Sequence, residues 1–516
     1  MRYKNTMIGY KNTVMKLTNS KLLLVFACSL ASIASFGQSF LPAGSIVYPF
    51  RASPAIVKIG TQLPILYNNK AQHQIDSVVL KGPYSRVRLH IDSLSKGRFE
   101  YDSYTNLYTN NKIWTSVPKT APEDMYDLLV YSAGEIEISR RSVKVVMNFP
   151  KKHSFIHITD THISRNWVGP AKDGFAEELQ LLDRFITVAN IISPDLVIVT
   201  GDLIHDYTRF NKDERGWGGD TIKGYDKLPT IEEKYRNYFE GAKGYRGVQA
   251  INAPVFSVPG NHDFYGMKED NYAAKTAQWN ALCGIRVSGL AFAGTRFMFI
   301  DDYLGDPVKD IPNKKPMSGL QGQVLRNFLK ENGSGDLRIM AQHRHNRADT
   351  AFINQQKVGL IVNGHIHTPN VDTLGRTPTI RIRPGVVARS GENHRWEEIL
   401  GLFRIIRIDG EKFEYSKPLR FCANPIDPYD KIRLNLTLNF KNENTGASIQ
   451  NEAVIDNKLP ADLPGCRVRF VMKKGSYSVT GGVIRQAFSS GKLTIVDVDA
   501  DVNATAIKKV SIRLKS

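Results

Sequence analysis

Four cysteines in 516 residues cannot hold a disulfide scaffold together. Long hydrophobic runs are as scarce. There is one, from Leu22 to Phe36, so no later segment offers a membrane-spanning helix. Acid is also short, with 50 Asp and Glu against 69 Lys and Arg and a formal charge of +19. The cations are scattered, no run exceeding a pair such as Lys314-Lys315, and no nucleic-acid-binding module accompanies them. The excess therefore reads as a solvated basic surface compatible with an anionic substrate. Hydrophobic residues at 42% and aromatics at 10% exclude a disordered chain. At roughly 100–200 residues per domain, the length allows three or four domains.

The one apolar run follows Arg2, Lys4, Lys11, Lys16 and Lys21, with no acid before it, and ends in small residues. A basic leader, an apolar stretch of about 15 residues and the small residues Ser35 and Gly37 describe a secretory signal peptide over 1–37. An uncleaved anchor would need about 20 residues. Gln38 is then the mature start, with Met7 or Met15 as alternative initiators. The protein is expected to be exported, to the periplasm, the cell surface or the medium, and its charge falls from +19 to +14. Cys283, Cys422 and Cys466 remain, an odd number at spacings that fit no metal site.

Residues 38–150 carry short alternating stretches (Val87, Leu89, Ile91; Val143, Val145) and a run from Met125 to Tyr131. They predict an all-β sandwich of immunoglobulin or fibronectin type. The same signal returns over 420–516, where Ile432, Leu434, Leu436, Leu438 and Phe440 alternate with polar residues. Between them, 151–419 alternates apolar runs (155–158, 196–199, 255–258, 297–300, 360–362) with helical patterns, which predicts an α/β domain. One helix is expected to bury Leu179, Leu182, Ile186 and Ala189, another Val324, Leu325, Phe328 and Leu329. Asp409-Gly410 marks a hairpin near the end of this domain.

Ten of the twelve histidines lie between His153 and His394. Several directly follow predicted strands, where open α/β sheets place their ligands. The strand ends carry, in order, Asp160-Thr161-His162, Gly201-Asp202, Gly260-Asn261-His262-Asp263, His343, and Gly364-His365-Ile366-His367. Singly, D-x-H and Gly-Asp are ordinary turn sequences. G-N-H-D is more specific, and H-x-H on extended backbone puts two imidazoles on one side at a chelating spacing. Five such endings in one domain point to a metal site.

In these motifs the middle domain resembles the calcineurin-like metallophosphoesterases, the superfamily of purple acid phosphatases and related cyclic-nucleotide phosphodiesterases. The resemblance covers about half of the chain. It implies a four-layer α-β-β-α sandwich with two metal ions at the strand ends. Asp160, His162, Asp202 and His367 would hold one ion, and Asp202, Asn261, His343 and His365 the other. His262, steadied by Asp263, would act on the leaving oxygen. The chemistry is consistent, since two cations can lower the pKa of a shared water and clamp phosphate oxygens for in-line attack by metal-bound hydroxide. A carboxylate bridges naturally through its two oxygens. Four His and an Asn beside two carboxylates favour Zn, Mn or Fe over Ca or Mg.

Around the motifs, His205 and His345 are candidates for substrate or supporting contacts. His157 reads as a core histidine, and His394 as surface. The interval from Asp202 to Gly260 reads either as a lid or as a helix around Glu232–Phe239 packed on the domain. Residues 301–319, with Asp301 and Asp302, form a second candidate rim. The expected activity is hydrolysis of a phosphate-ester small molecule or headgroup. An N-terminal sandwich is similar to the purple acid phosphatase layout and suggests monoesters, but the metal-bound tyrosine of those enzymes would fall at His205. The intact D-x-H is more like the phosphodiesterase branch, so diesters are favoured. An inactive adhesion or glycan-binding protein is the reading of another class.

Overall fold

The computed structural model describes residues 45–515 other than 70–72, 103–106, 164–175, 205–230, 243, 265–271, 304–316, 318, 332–336, 345–349, 375–378, 384–400 and 424–432. The predicted signal peptide, His205, His345 and His394 lie outside the described residues. Among the described residues no helix is long and apolar enough to cross a membrane.

Strands between Ser45 and Val146 form one continuous path of eight. The long strand Arg86–Asp102 pairs with Ile75–Lys81 through its first residues and with Leu107–Ser116 through the rest. It thereby passes from one sheet into the next, with register shifts where it bends. Inward positions such as Val78, Leu80, Leu89, Ile113, Val130, Val143 and Val145 make the core of this region.

The middle region holds two sheets. In the first, Val255–Val258, Leu196–Thr200 and Lys152–Ile158 run parallel, and Leu402–Asp409 adds antiparallel to the last of these. In the second, Thr295–Phe299, Leu337–Ala341, Leu360–Val362 and Thr379–Arg383 run parallel, with Ser288–Phe292 and Asn370–Leu374 at the edges. Such strands are apolar throughout because both faces are covered. Phe155, Leu196, Ile198 and Phe256 face Phe297, Phe299, Ile339 and Leu360 between the sheets. The alternate residues Ile156, Ile158, Val197 and Val199 pack with Leu179, Leu182, Phe185, Ile186 and Ala189 of the helix Ala176–Ile192. Met298, Met340 and Ile361 do the same with Leu325, Leu329, Phe352 and Ile353.

Two expectations shift. In the helix Leu320–Glu331 the buried line is Gln321, Leu325 and Leu329, at i, i+4 and i+8, whereas Val324 is 40% exposed. The face turns because the Gln321 amide is needed inside, where it bonds the Asp301 backbone in both directions. The strand expected from Ile432 begins at Leu436, and Leu434 makes only an isolated bridge to Cys422.

The C-terminal strands form a four-stranded sheet (Leu436–Phe440, Gln450–Asn457, Ile507–Leu514, Tyr477–Thr480) and a three-stranded one (Leu463–Lys473, Leu493–Val502, Val483–Ser490). Their shared core of Ile455, Val468, Phe470, Val496, Val498, Val510 and Ile512 is continuous with the apolar cluster around the Ala176–Ile192 helix. Arg141 ties the N-terminal strands to the middle region by donating to the carbonyls of Gln249 and Ile251 and to Asn252 Oδ1. Cys283, Cys422 and Cys466 are buried free thiols.

Candidate metal centre

Parallel strands deliver their C-terminal ends to a common edge, and the motifs meet there. Ligand-capable atoms of Asp160, His162 and His367 lie within 4.8 Å of one another, as do those of Asp202, His343 and His365, and those of His162, Asp202 and His262. Asp202 and His162 therefore link the groups. The converging ring nitrogens of His162, His343 and His367 are Nε2. His162 Nε2 lies 3.4 Å from His367 Nε2 and 3.7 Å from both Asp160 Oδ1 and Asp202 Oδ2. His367 Nε2 is 3.3 Å from Asp160 Oδ1.

His343 shows most directly what the cluster requires. Its Nδ1 is 2.7 Å from the Thr200 carbonyl, to which an N–H must donate. In the neutral ring that leaves Nε2 as a lone pair, 3.0 Å from Asn261 Oδ1 and 3.2 Å from Asp202 Oδ2. Three such atoms need a proton or a metal ion between them. Asp160 Oδ1 is buried and makes no hydrogen bond at all. Donors about 2.0–2.2 Å from one tetrahedral metal would lie roughly 3.3–3.6 Å apart. The separations here, 3.0 to 3.7 Å, span that range.

Each carboxylate has one oxygen aimed and one spent. Asp160 Oδ2 accepts from the His365 backbone N–H at 3.1 Å, and Asp202 Oδ1 from that of His262 at 2.8 Å. These bonds tie each motif to another and fix the free oxygen's direction. Asp202 Oδ2 lies 3.7 Å from His162 Nε2 and 3.2 Å from His343 Nε2, and so faces both groups.

The backbone is strained where it carries these donors. Asp160, His162, Asp202 and His365 all have φ between 46° and 71°, and they are four of the ten described non-glycine residues in that region. Glycine precedes Asn261 and His365 for lack of room. A Cβ on Gly260 would sit 2.2 Å from Asp202 Oδ1, and one on Gly364 1.9 Å from Thr159 Oγ1.

The carboxylates and two of the imidazoles are already in the state ligation needs, whereas His343 would have to release a proton. Burial would raise both carboxyls, but the converging imidazoles overcome it and hold Asp160 and Asp202 well below the usual range. Burial pushes His365 down to about 4, helped by the charges of His343 and Arg344, and it lowers His162 as well. His343 is buried too, yet the facing Asp202 drives it up to about 10.

Asp263 does not steady the His262 ring. Its carboxylate accepts from the backbone N–H groups of Gly260 (2.7 Å), Leu203 (3.1 Å) and Ile204 (3.4 Å) and from the Tyr235 hydroxyl (3.2 Å). It pins two motif loops together. The His262 ring instead packs edge-on to His162, with centroids 4.6 Å apart. Tyr235 belongs to the helix Ile231–Glu240, where Tyr235, Tyr238 and Phe239 are buried. This part of the insertion is a packed wall rather than a lid. His157 is a core histidine, buried at 2.9 Å from Thr200 Oγ1 and pushed down to about 3 by burial.

Asp301 and Asp302 are no rim either, since both are buried. Asp301 pairs with the buried Arg286 at 2.7 Å. Asp302 accepts from the backbone N–H of His343 (3.3 Å) and that of Arg344, holding the loop behind the ligand. Its partners lie 41 and 42 residues away, so no local pattern could have announced this role.

Buried ligand-capable atoms converging at the ends of parallel strands, together with the family match that spans them, mark a metal-dependent phosphoesterase. Residues 153–369 match the family model of the calcineurin-like phosphoesterases. No curated protein matches the sequence. Among solved structures it is similar to PhoD at 10% identity, covering 76% of this chain and 90% of that one with a TM-score of 0.41. It is also similar to a dimetal phosphatase from Danio rerio at 14% identity (51% of this chain, 98% of that one, TM-score 0.31). GAP50, the anchor in the inner membrane complex of Plasmodium, is 12% identical (55% of this chain, 89% of that one, TM-score 0.31). Likenesses this distant say nothing of substrate.

Proposed function

We propose that this chain is an exported two-metal hydrolase of phosphoric esters that prefers diesters. The observation that carries the reading is the junction at Asp202, where one buried oxygen faces the ligand atoms of both groups. Asp160, His162, Asp202 and His367 would hold one ion, and Asp202, Asn261, His343 and His365 the other, with Zn, Mn or Fe suiting this N/O set. When bound, two such ions acidify a water and neutralise phosphoryl oxygens. The chain's own residues do the rest. His343 is locked in one tautomer by the Thr200 carbonyl, and Asp202 is oriented by the His262 N–H. His262, beside His162 at the edge of both groups, is placed to protonate the departing ester oxygen from its ring.

The packing of helices outside two facing sheets supports a four-layer α-β-β-α domain over 151–419. The distribution of the remaining strands supports immunoglobulin- or fibronectin-like domains over 38–150 and 420–516. Export rests on the leader over 1–37, and the preference for diesters on the intact Asp160-Thr161-His162. An inactive binding protein would not need to keep every ligand position filled.

The test is hydrolysis of a chromogenic phosphate diester and its monoester by mature protein loaded with Mn or Zn, beside Asp202→Asn. The diester should be the better substrate, and Asp202→Asn should lose activity by on the order of 10³-fold. Unchanged activity in Asp202→Asn would sink the reading.

A further inference from the structure

Arg344 follows His343 directly and is half-buried. Among the described residues its guanidinium makes neither a hydrogen bond nor an ion pair, and its Nε is buried without a partner. Leaving a buried donor unmet is costly. The nearby acids are committed elsewhere, Asp302 to the backbone N–H groups of His343 and Arg344, and Asp301 to Arg286. The group is nevertheless held in place, with Cζ 4.8 Å from the centroid of the Tyr303 ring. Phe264, two residues after His262, stacks on the same ring at 5.7 Å and 11°. His343 in turn lies 5.2 Å from His365, ring to ring. A planar cation is thus fixed beside the centre with no carboxylate among the described residues paired to it.

We propose that Arg344 binds a phosphoryl oxyanion of the substrate and sets how well the site accepts a phosphomonoester dianion relative to a diester monoanion. The inference rests on the phosphoesterase reading of the same site. A guanidinium presents two parallel donors that match two charged oxygens. A monoester has one more charged oxygen than a diester, in which esterification removes that charge. The aromatic stack supplies orientation without competing for the donors.

The experiment uses the metal-loaded protein, Arg344→Gln and Arg344→Lys, with three readouts: kcat/KM on the chromogenic monoester and diester, binding of orthophosphate, and bound metal per chain. In Arg344→Gln the monoester kcat/KM should fall roughly 10- to 100-fold, chiefly through KM, and orthophosphate binding should weaken similarly, as expected for one charge-assisted pair. The diester should change less than about 5-fold, metal content should hold, and Arg344→Lys should recover part of the loss, keeping the charge without the fork. Equal losses on both esters, no loss on either, or loss of metal from Arg344→Gln would each overturn the proposal, the last by making Arg344 a support for His343. Failure of the hydrolase reading looks different, because the unsubstituted protein would then be silent on both esters. Orthophosphate binding that still depends on Arg344 would in that case uphold the oxyanion site.

Discussion

Asp160 at the strand ends and Asp497 at the junction with the N-terminal strands are both wholly inaccessible, yet their surroundings are opposite in kind. Asp497 Oδ1 accepts from Arg469 Nε at 2.7 Å, and Oδ2 from Arg467 at 2.6 Å, Gln486 at 2.6 Å and Arg469 at 2.9 Å. Arg469 continues to Asp124, 2.8 Å away on the N-terminal strands, and Arg485 pairs with Glu123 at 2.6 Å. Here donors meet acceptors within the protein. At Asp160 one oxygen has a backbone donor and the other, which makes no hydrogen bond, faces imidazole nitrogens. Buried charge matched by its own counter-charge is architecture. Buried charge matched only by further lone pairs is a place for something else.

The comparison breaks first, if it breaks, at these two acids. Asp497→Asn keeps the shape and removes the charge, leaving Arg467 uncompensated in the interior and Arg469 with Asp124 alone. Breaking one partner of such a set costs about 3–5 kcal/mol, so thermal unfolding should move down sharply while metal content per folded chain stays put. Asp160→Asn should do the reverse. Metal is lost, and the apo protein unfolds close to the unsubstituted apo protein. If chelation lowers the unfolding temperature of both acid variants equally, the distinction between the two clusters is wrong.

A smaller effect sharpens the contrast inside the metal centre. Asp302 anchors the backbone of His343 and Arg344. An amide at this position can accept from one N–H while its own NH₂ repels the other. Asp302→Asn should therefore weaken metal affinity by about 10- to 100-fold, read by competition with a chelator, with the fold intact. An unchanged affinity would make the loop behind His343 self-supporting.

The two clusters were not equally legible in the sequence. Ligands follow strands directly, so Asp160, His162, Asp202, Asn261, His343, His365 and His367 could be picked from spacing and resemblance, and the structure brings their donor atoms together. Asp263 could not be read correctly from adjacency to His262. Both lie in the 3₁₀ turn His262–Phe264, where neighbouring side chains diverge by a third of a turn. Arg467 and Arg469 alternate with Val468 and Phe470, and alternation separates two faces without saying what covers the second. They read as solvated, and the residues that cover them, Asp124 and Asp497 among others, lie far away in the chain. The scattered basic charge is thus partly interior, with Lys144, Arg286, Arg404 and Arg467 all buried.

Lys144 gives the mildest and most diagnostic test of that interior. It is buried 3.8 Å from Glu123, with Asp124, Arg467 and Arg485 also bearing on it. Burial and the two guanidinium groups outweigh the acids and bring it down from 10.5 to about 8. Above that pH the folded chain has released a proton that the unfolded chain still binds, so stability should rise with pH between about 8 and 10.5 from this group. The slope cannot exceed one proton, about 1.4 kcal/mol per pH unit. Denaturant unfolding of the apo protein at several pH values, beside Lys144→Met, isolates it. The substituted chain should lack this rise, because methionine fills the same space and has nothing to titrate. If both chains respond alike, Lys144 stays charged through its pairing with Glu123, and the junction is tighter electrostatically than its burial alone implies.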